Sequence, residues 1–276
     1  MMQVGQLAVT GISDGTFVAR PSYFGKHVSV AARPDVFDRF GAAWLPIGCF
    51  LIRAPGSLVL VDAGLGPEAK QLPDGMMLVG GQLLAGLHAA GVEPSDIDHV
   101  VCTHLHSDHC GWLYTPDMQT VFGSATIWVG TADLEAVLDG TLGTADHIRR
   151  GLGSHAAEPA VQRMTGTVEI APGIVAQPSP GHTMRHYLVE VCSEGETLLL
   201  VGDAITCPIQ LDEPTWHSYG DVDPALGLRN RDAIWERLRN EAFPAVGSHF
   251  PGLRAGRVDR VGGWVEERAR ADDRWG

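Results

Sequence analysis

Positive charge is what this sequence has least of. Twenty Lys and Arg stand against 33 Asp and Glu in 276 residues, a formal charge of −13. Nucleic acid is therefore not an expected partner, because phosphate binding needs a basic face. Paired cysteine is missing too. Cys49, Cys102, Cys110, Cys192 and Cys207 are odd in number and contain no C-x-x-C. That argues against a disulfide framework or a structural zinc knuckle, and it fits a reducing cytoplasm. No basic start followed by an apolar run marks the N-terminus, so no secretory signal is read. No stretch approaches the roughly 20 apolar residues of a membrane-spanning helix, and no membrane association is expected. Internal repeats and low-complexity tracts are absent as well. What remains is ordinary globular material, 45% hydrophobic.

Against that plain background one segment stands out. His104-Leu105-His106-Ser107-Asp108-His109 places four metal-capable side chains in six residues. Zinc and its neighbours take imidazole nitrogen and carboxylate oxygen at about 2 Å. Residues two apart on an extended backbone point the same way, so His104 and His106 can face one ion. If the chain then turns into a helix, Asp108 and His109 can swing toward a second. At a helix N-terminus, Asp108 would also be favoured in its ionised form. Cys110, next to the motif, reads as a small buried hydrophobe.

Short apolar strands alternate with helical patterns along the chain. Cys49–Ala54 and Leu58–Val61 read as strands joined by the turn Pro55-Gly56. Residues 82–90 read as a helix closed by Gly91, and 99–103 as the strand that delivers the histidine segment. A strand at 126–129 precedes a short helix capped by Thr131 and carrying Leu134, Val137 and Leu138. In the second half, 174–177, 187–191 and 197–201 read as strands. Asp223-Pro224 opens a helix with proline at its first position, and Ile234, Trp235, Leu238 and Ala242 form its apolar stripe. A strand at 245–247 leads to His249. Residues 22–44, rich in aromatics, and 140–166, rich in glycine and charge, carry no clear period. Because the motifs are spread over most of the chain, a single domain over 1–276 is expected, with 1–45 an N-terminal extension or a substrate or dimer segment.

The histidine segment resembles the metal motif of the metallo-β-lactamase-fold hydrolases, and further matches follow in order. They are Val61-Asp62-Ala63-Gly64, Pro180-Gly181-His182-Thr183, Leu200-Val201-Gly202-Asp203 and Gly247-Ser248-His249-Phe250-Pro251. Each alone is weak; together they are specific. The resemblance implies an α/β fold, the αββα four-layer sandwich of two mixed sheets flanked by helices. It implies two divalent ions, zinc first with manganese, iron or cobalt as substitutes. His104, His106 and His182 would hold one ion, Asp108, His109 and His249 the other, and Asp203 would bridge them together with a hydroxide. Asp62 reads as an acceptor behind a ligand imidazole or the metal loop, and His186 is a candidate for a similar supporting place.

Two divalent ions less two carboxylates and a hydroxide leave about +1, a site suited to oxygen gaining negative charge, and bound water would ionise near pH 7. Metal-assisted hydrolysis of a small molecule follows, an ester, lactone or phosphotriester, and the resemblance implies that Asp108 orients the nucleophile and moves its proton. The ligand set looks nearest the lactonase and methyl parathion hydrolase-like branches. N-acyl homoserine lactonases of this fold use a tyrosine shortly after the bridging aspartate, whereas here Ala204-Ile205-Thr206-Cys207 follows Asp203. Thr206 is the only hydroxyl in that stretch. Phe24, Trp44, Trp112 and Phe250 are candidates for an apolar pocket. True β-lactamases of the fold usually lack the bridging aspartate, and diiron oxygen reductases need a carboxylate where His106 stands. The rival is a mononuclear iron sulfur-dioxygenase, which carries the same motif but binds one iron. A nonenzymatic metal-binding role is the third reading. A homodimer is also considered, from the aromatic N-terminal segment.

Overall fold

The computed structural model describes residues 1–213 and 215–267. Two sheets dominate it. The first contains β1 (Met2–Val4), β2 (Leu7–Ala19), β3 (Ala43–Ala54), β4 (Ser57–Val61), β5 (Ala69–Gln71), β6 (Met77–Val79), β7 (His99–Val101), β8 (Thr126–Gly130) and β9 (Val161–Met164). Its strand order is β5-β6-β2-β3-β4-β7-β8-β9, with β1 hairpinned onto β2. The second runs in sequence through β10 (Val168–Ala171), β11 (Ile174–Pro178), β12 (Tyr187–Ser193), β13 (Glu196–Leu200), β14 (Ala245–Val246), β15 (Gly256–Val258) and β16 (Trp264–Glu266). Both sheets are mixed: β4, β7, β8 and β9 pair in parallel, as do β13 and β14. The helices are α1 (Pro21–Phe24), α2 (Leu83–Ala89), α3 (Ser107–Cys110), α4 (Thr131–Asp139), α5 (Asp146–His155), α6 (Ile209–Asp212) and α7 (Pro224–Glu241).

Alternation along the strands builds the layers. Phe50 and Ile52 of β3 and Val59 and Val61 of β4 point into the core shared with Val189, Val191, Leu198 and Leu200 of the second sheet. Their neighbours Cys49, Leu51 and Leu60 point the other way, beneath Leu83 and Leu87 of α2 and Leu134 and Val137 of α4. Ile234 and Leu238 of α7 pack on the outer face of the second sheet. The result is the αββα sandwich. Fully burying one such aliphatic side chain contributes about 1.5–3 kcal/mol, so a charge at Val61, which is wholly buried, should unfold the centre of the sandwich. Among the described residues no helix is long and apolar enough to cross a membrane.

Several elements differ from expectation at their ends. The strand expected over 99–103 stops at Val101, because the backbone N–H of Thr103 leaves the ladder to donate to Asp62 Oδ1 at 2.8 Å. Helix α4 takes Gly130 as its cap, while Thr131 lies inside it and its hydroxyl donates to the Met164 carbonyl. Asp223 caps α7 as expected, accepting from the Leu226 N–H at 2.9 Å. Ala242 lies beyond the stripe, as the left-handed residue that ends α7.

The 1–45 stretch divides in two. Residues 2–19 are built into the first sheet, where β2 pairs along eleven positions of β3. Residues 20–42, with α1, fold over one end of the sandwich and bury Tyr23, Phe24 and Phe37 against Leu65, Met76 and Trp216.

Candidate metal centre

Four chain segments end at one edge between the sheets. β7 leads into α3, whose four residues begin after His106 in extended conformation (φ −65°, ψ 154°). The turn after His106 separates the two pairs of side chains, as the spacing implies. Gly111, just after α3, is forced by packing: a Cβ there would lie 1.9 Å from the Leu65 carbonyl oxygen. From the second sheet, His182 follows β11, Asp203 follows β13 and His249 follows β14. Gly202 (φ +51°) is a close approach as well, since a Cβ would meet His186 Nε2 at 2.7 Å. The glycine of the Gly-Asp pair is therefore required by the centre's own packing.

All seven residues singled out in the sequence converge here. Nε2 of His104 and Nε2 of His182 each lie 3.0 Å from Nδ1 of His106. Nε2 of His249 lies 3.5 Å from Asp108 Oδ2, and Nε2 of His109 lies 3.9 Å from the same oxygen. Asp203 stands between the two sets. Its Oδ2 is 3.4 Å from His182, while its Oδ1 is 3.5 Å from His109 and 3.4 Å from His249. Three overlapping groups could each hold a metal ion: His104/His106/His182, His104/His109/Asp203 and Asp108/His109/His249, the ligand atoms within each lying within 4.8 Å of one another. His109 Nε2 and Asp203 Oδ1 are buried without a hydrogen-bond partner. Unsatisfied buried polar atoms are costly, and a cation is what these lone pairs lack.

The outward nitrogens are held in place. Asp62, fully buried and at a strained φ of 62°, accepts from His109 Nδ1 at 2.8 Å, from Thr103 N and Oγ1, and from Ser248 Oγ. Its expected place behind an imidazole and the metal loop is what the structure shows. His182 Nδ1 donates to Asp221 Oδ1 at 2.8 Å, and His249 Nδ1 donates to the Pro46 carbonyl at 2.6 Å. Each of these rings is thereby turned to present Nε2 inward. Nε2 of His186 accepts from the Asp203 backbone N–H at 3.1 Å, so that ring supports the strand end. Cys110 donates to the His106 carbonyl, and burial pushes its thiol up to about 12, an inert filler as expected.

Charge separates the two sets. Burial lowers His104 far below the ordinary imidazole value, and the neighbouring His109 and His106 rings lower it further. His106 is lowered to about 3 by burial and then by His182. Burial also works against protonating His249 and His109, but the carboxylates outweigh it. Asp203 and Asp108 push His249 up to about 10, and Asp62, Asp203 and Asp108 raise His109. Asp108 and Asp203 are both lowered, despite burial, by those same imidazoles.

A cavity of about 150 Å³ opens onto this centre. Its walls are Phe17, Tyr23, Lys70, Leu72, Met76, Leu78, Gly143, Tyr219 and Gly220, and its floor holds His106, Asp108, His182, Asp203 and His249. The four aromatics expected there do not line it. Trp44 is 63% exposed, since its strand turns that face outward. Phe24 packs on Phe37 and Trp216, and Phe250 packs edge-on against Trp264. Trp112 spends its indole N–H on Asp14 at 2.8 Å. A second cavity, of about 200 Å³ and lined in part by Arg33, Cys207, Phe250 and Trp264, contains none of the seven residues.

Sequence reasoning missed four residues here. Asp221 backs His182 and is itself held by Arg231 Nη2 at 3.7 Å. Asp14, fully buried in β2, accepts from the N–H groups of Leu65, Gly66, Gly81 and Leu83 and ties the loop after β4 to the start of α2. In Ile12-Ser13-Asp14-Gly15-Thr16-Phe17 no apolar alternation brackets the acid, so its burial leaves no local mark. Tyr23 and Lys70 reach the cavity from segments without any metal motif.

The family model of the metallo-beta-lactamase superfamily matches residues 42–244. An N-acyl homoserine lactonase of Bacillus thuringiensis is 26% identical over 212 residues, covering 71% of this chain and 78% of the relative. Among solved structures, AidC, a dizinc quorum-quenching lactonase in complex with a product, superposes with a TM-score of 0.82 at 22% identity, covering 98% of this chain and 97% of that one. The hydrolase AbOPH superposes at 0.81 with 21% identity, covering 99% and 97%. With the family model spanning residues 42–244, most of the chain, and with every motif brought to one edge of an αββα sandwich, this chain belongs to the metallo-beta-lactamase superfamily.

Proposed function

We propose that this chain is a dinuclear metal-dependent hydrolase that opens a lactone or cleaves a related carboxylic ester. One observation carries the reading. The two oxygens of Asp203 face two separate imidazole sets at 3.4–3.5 Å, so one carboxylate serves both. His104, His106 and His182 would hold one cation, and Asp108, His109 and His249 the other. A mononuclear iron site would leave the second set, with its buried unpartnered His109 Nε2, unexplained. Zinc suits the imidazole and carboxylate donors and is named in the AidC neighbour. Two such ions supply Lewis acidity and a hydroxide at neutral pH.

The chain's own residues do the rest. Asp108 is placed on the second set with Oδ2 toward His249, where it can orient the nucleophile and take its proton. Asp62 and Asp221 fix His109 and His182 from behind. The apolar wall of Phe17, Leu72, Met76 and Leu78 excludes water and receives an acyl or alkyl portion. Tyr23 supplies the phenol that the stretch after Asp203 lacks. Its Oη lies 3.2 Å from Thr206 Oγ1, and burial together with the Asp203 charge raises its pKa well above the phenol value. It is therefore a neutral donor at working pH, placed to hydrogen-bond a substrate carbonyl or the departing alkoxide. Thr206 acts as the partner of Tyr23. Lactonase names among the relatives favour lactones over phosphotriesters.

Metal quantification coupled to a panel of lactones, esters and phosphotriesters tests the reading. About two divalent ions per chain with lactone or ester turnover is expected. One iron per chain with oxygen consumption would replace it by the dioxygenase reading.

A further inference from the structure

Lysine is rare in this chain. Of its twenty basic residues only Lys26 and Lys70 are lysines. Lys70, on the edge strand β5, is half-buried and lines the cavity beside Phe17, Leu72, Met76 and Leu78. Apart from the imidazoles on the floor, it is the one basic side chain lining the cavity among the described residues. No carboxylate lies within ion-pair distance of it among the described residues. Its ammonium donates to Ser107 Oγ at 3.2 Å. An ammonium has three N–H donors, so Ser107 leaves capacity for a further acceptor. Drawing an ammonium partly out of water against apolar side chains costs free energy unless a partner offsets it. Among the described residues no acidic side chain takes that place.

Ser107 immediately precedes Asp108 in α3. The ammonium therefore stands one residue from the floor of the cavity, on the wall along which a substrate must lie. We propose that Lys70 forms an anion subsite, and that the natural substrate is a lactone or ester carrying a carboxylate or similarly charged group a few bonds from the carbonyl that is attacked. The inference rests on the hydrolytic reading and deepens it. The substrate is held at two points: its carbonyl at the metal centre and its anionic group at Lys70, with the apolar wall between.

The competing role is structural, with Lys70 only bracing Ser107 and the histidine segment. Matched esters separate the two, one ending in a carboxylate and the other in the neutral carboxamide of the same length. The wild type should favour the carboxylate ester in kcat/KM. Lys70→Met should lower that preference at least about tenfold, the equivalent of one partly buried charge pair, mainly through KM, and Lys70→Arg should restore part of it. Calorimetric binding of glutarate against glutaramate, with metal content measured alongside, gives a readout independent of turnover. Glutarate should bind more tightly to the wild type and lose that advantage in Lys70→Met. Equal losses for both esters, or glutarate binding indifferent to Lys70, would overturn the subsite and leave hydrolysis standing. If neither ester turns over but glutarate binding still depends on Lys70, the subsite stands and the hydrolytic reading falls.

Discussion

His104, His106 and His182 press against one another, with Asp203 and Asp221 both meeting His182, whereas His109 and His249 share Asp108 and Asp203 and His109 meets Asp62 as well. Burial and neighbouring rings hold His104 and His106 toward the neutral form, while carboxylates hold His109 and His249 toward the protonated one. The same imidazole chemistry therefore yields two electrostatically different sets. In the first, lone pairs stand ready. In the second, a cation would compete with the protonation that the carboxylates favour. The difference comes from how many carboxylates the fold delivers to each set, and burial magnifies it because charges interact more strongly away from water.

Removing the shared member should have the largest effect. Asp203→Ala takes one oxygen from each set, so both should fail together. We expect metal content to fall from two ions to one or fewer, and turnover of the best panel substrate to drop on the order of 10³-fold, as when a charge-stabilising group is lost from a catalytic site. Elemental analysis with steady-state kinetics checks this. Retention of two ions would show that the sets are independent and that Asp203 does not join them.

Acidity should separate the sets next. The raised values of His249, to about 10, and of His109 mean that a cation entering the second set must expel protons. Its affinity should then rise about 100-fold between pH 6 and pH 8 if one proton is released. The first set, with His106 lowered to about 3, should change little over that range. Competition titrations on His104→Ala/His106→Ala, which keeps the second set, and on His109→Ala/His249→Ala, which keeps the first, check both slopes. The metal-free protein carries the same signature. Stability from His249, whose folded value lies above the ordinary 6.5, is fully present below pH 6.5 and is lost as pH rises through about 10. For His106 the folded value lies below 6.5, so its contribution is present above 6.5 and is lost as pH falls toward about 3. Without metal, unfolding by denaturant should show greatest stability between these limits.

Each set also has one imidazole backed by a buried carboxylate, Asp62 behind His109 and Asp221 behind His182. Asp62→Asn should weaken metal binding mostly at the second set, and Asp221→Asn mostly at the first, each by about 10–100-fold. Asp62 also holds Thr103 and Ser248, so its variant should lower the melting temperature as well. Equal losses at both sets from either variant would mean that the centre responds as one unit.

How much of this was legible follows from where each residue gets its role. His104, His106, Asp108 and His109 lie in one continuous segment, and their spacing alone divides them between an extended stretch and a helix. The strands of both sheets announce themselves by alternation, as at Cys49 to Ala54. Asp221 does not, because in Gly220-Asp221-Val222-Asp223 nothing local distinguishes the residue that backs His182 from the one that caps α7. Tyr23 and Lys70 are silent for the same reason. Their segments reach the cavity only once β2 and β6 are paired in the first sheet, and pairing between distant strands leaves no short-range mark. The misplaced aromatics make the converse point: Trp44 and Phe250 are apolar, but apolarity does not say which face of a strand or loop turns inward.

Tyr23 gives the smallest and most selective way to sharpen the comparison. Its hydroxyl meets Thr206, Thr206 meets Ser218 Oγ at 2.9 Å, and the Ser218 N–H donates to Asp221, which backs His182. The phenol thus belongs to the side of the first set, but by contact with the cavity rather than as a metal donor. Tyr23→Phe removes one hydrogen bond and keeps the ring packed between Phe17 and Phe24. Loss of a bond made mainly as charge develops on the substrate oxygen should lower kcat about tenfold, with both ions retained and KM little changed. A fall in metal content would instead make Tyr23 a brace acting through Asp221 on His182. Unchanged kcat with intact metal would leave the charge on that oxygen to the metal centre alone.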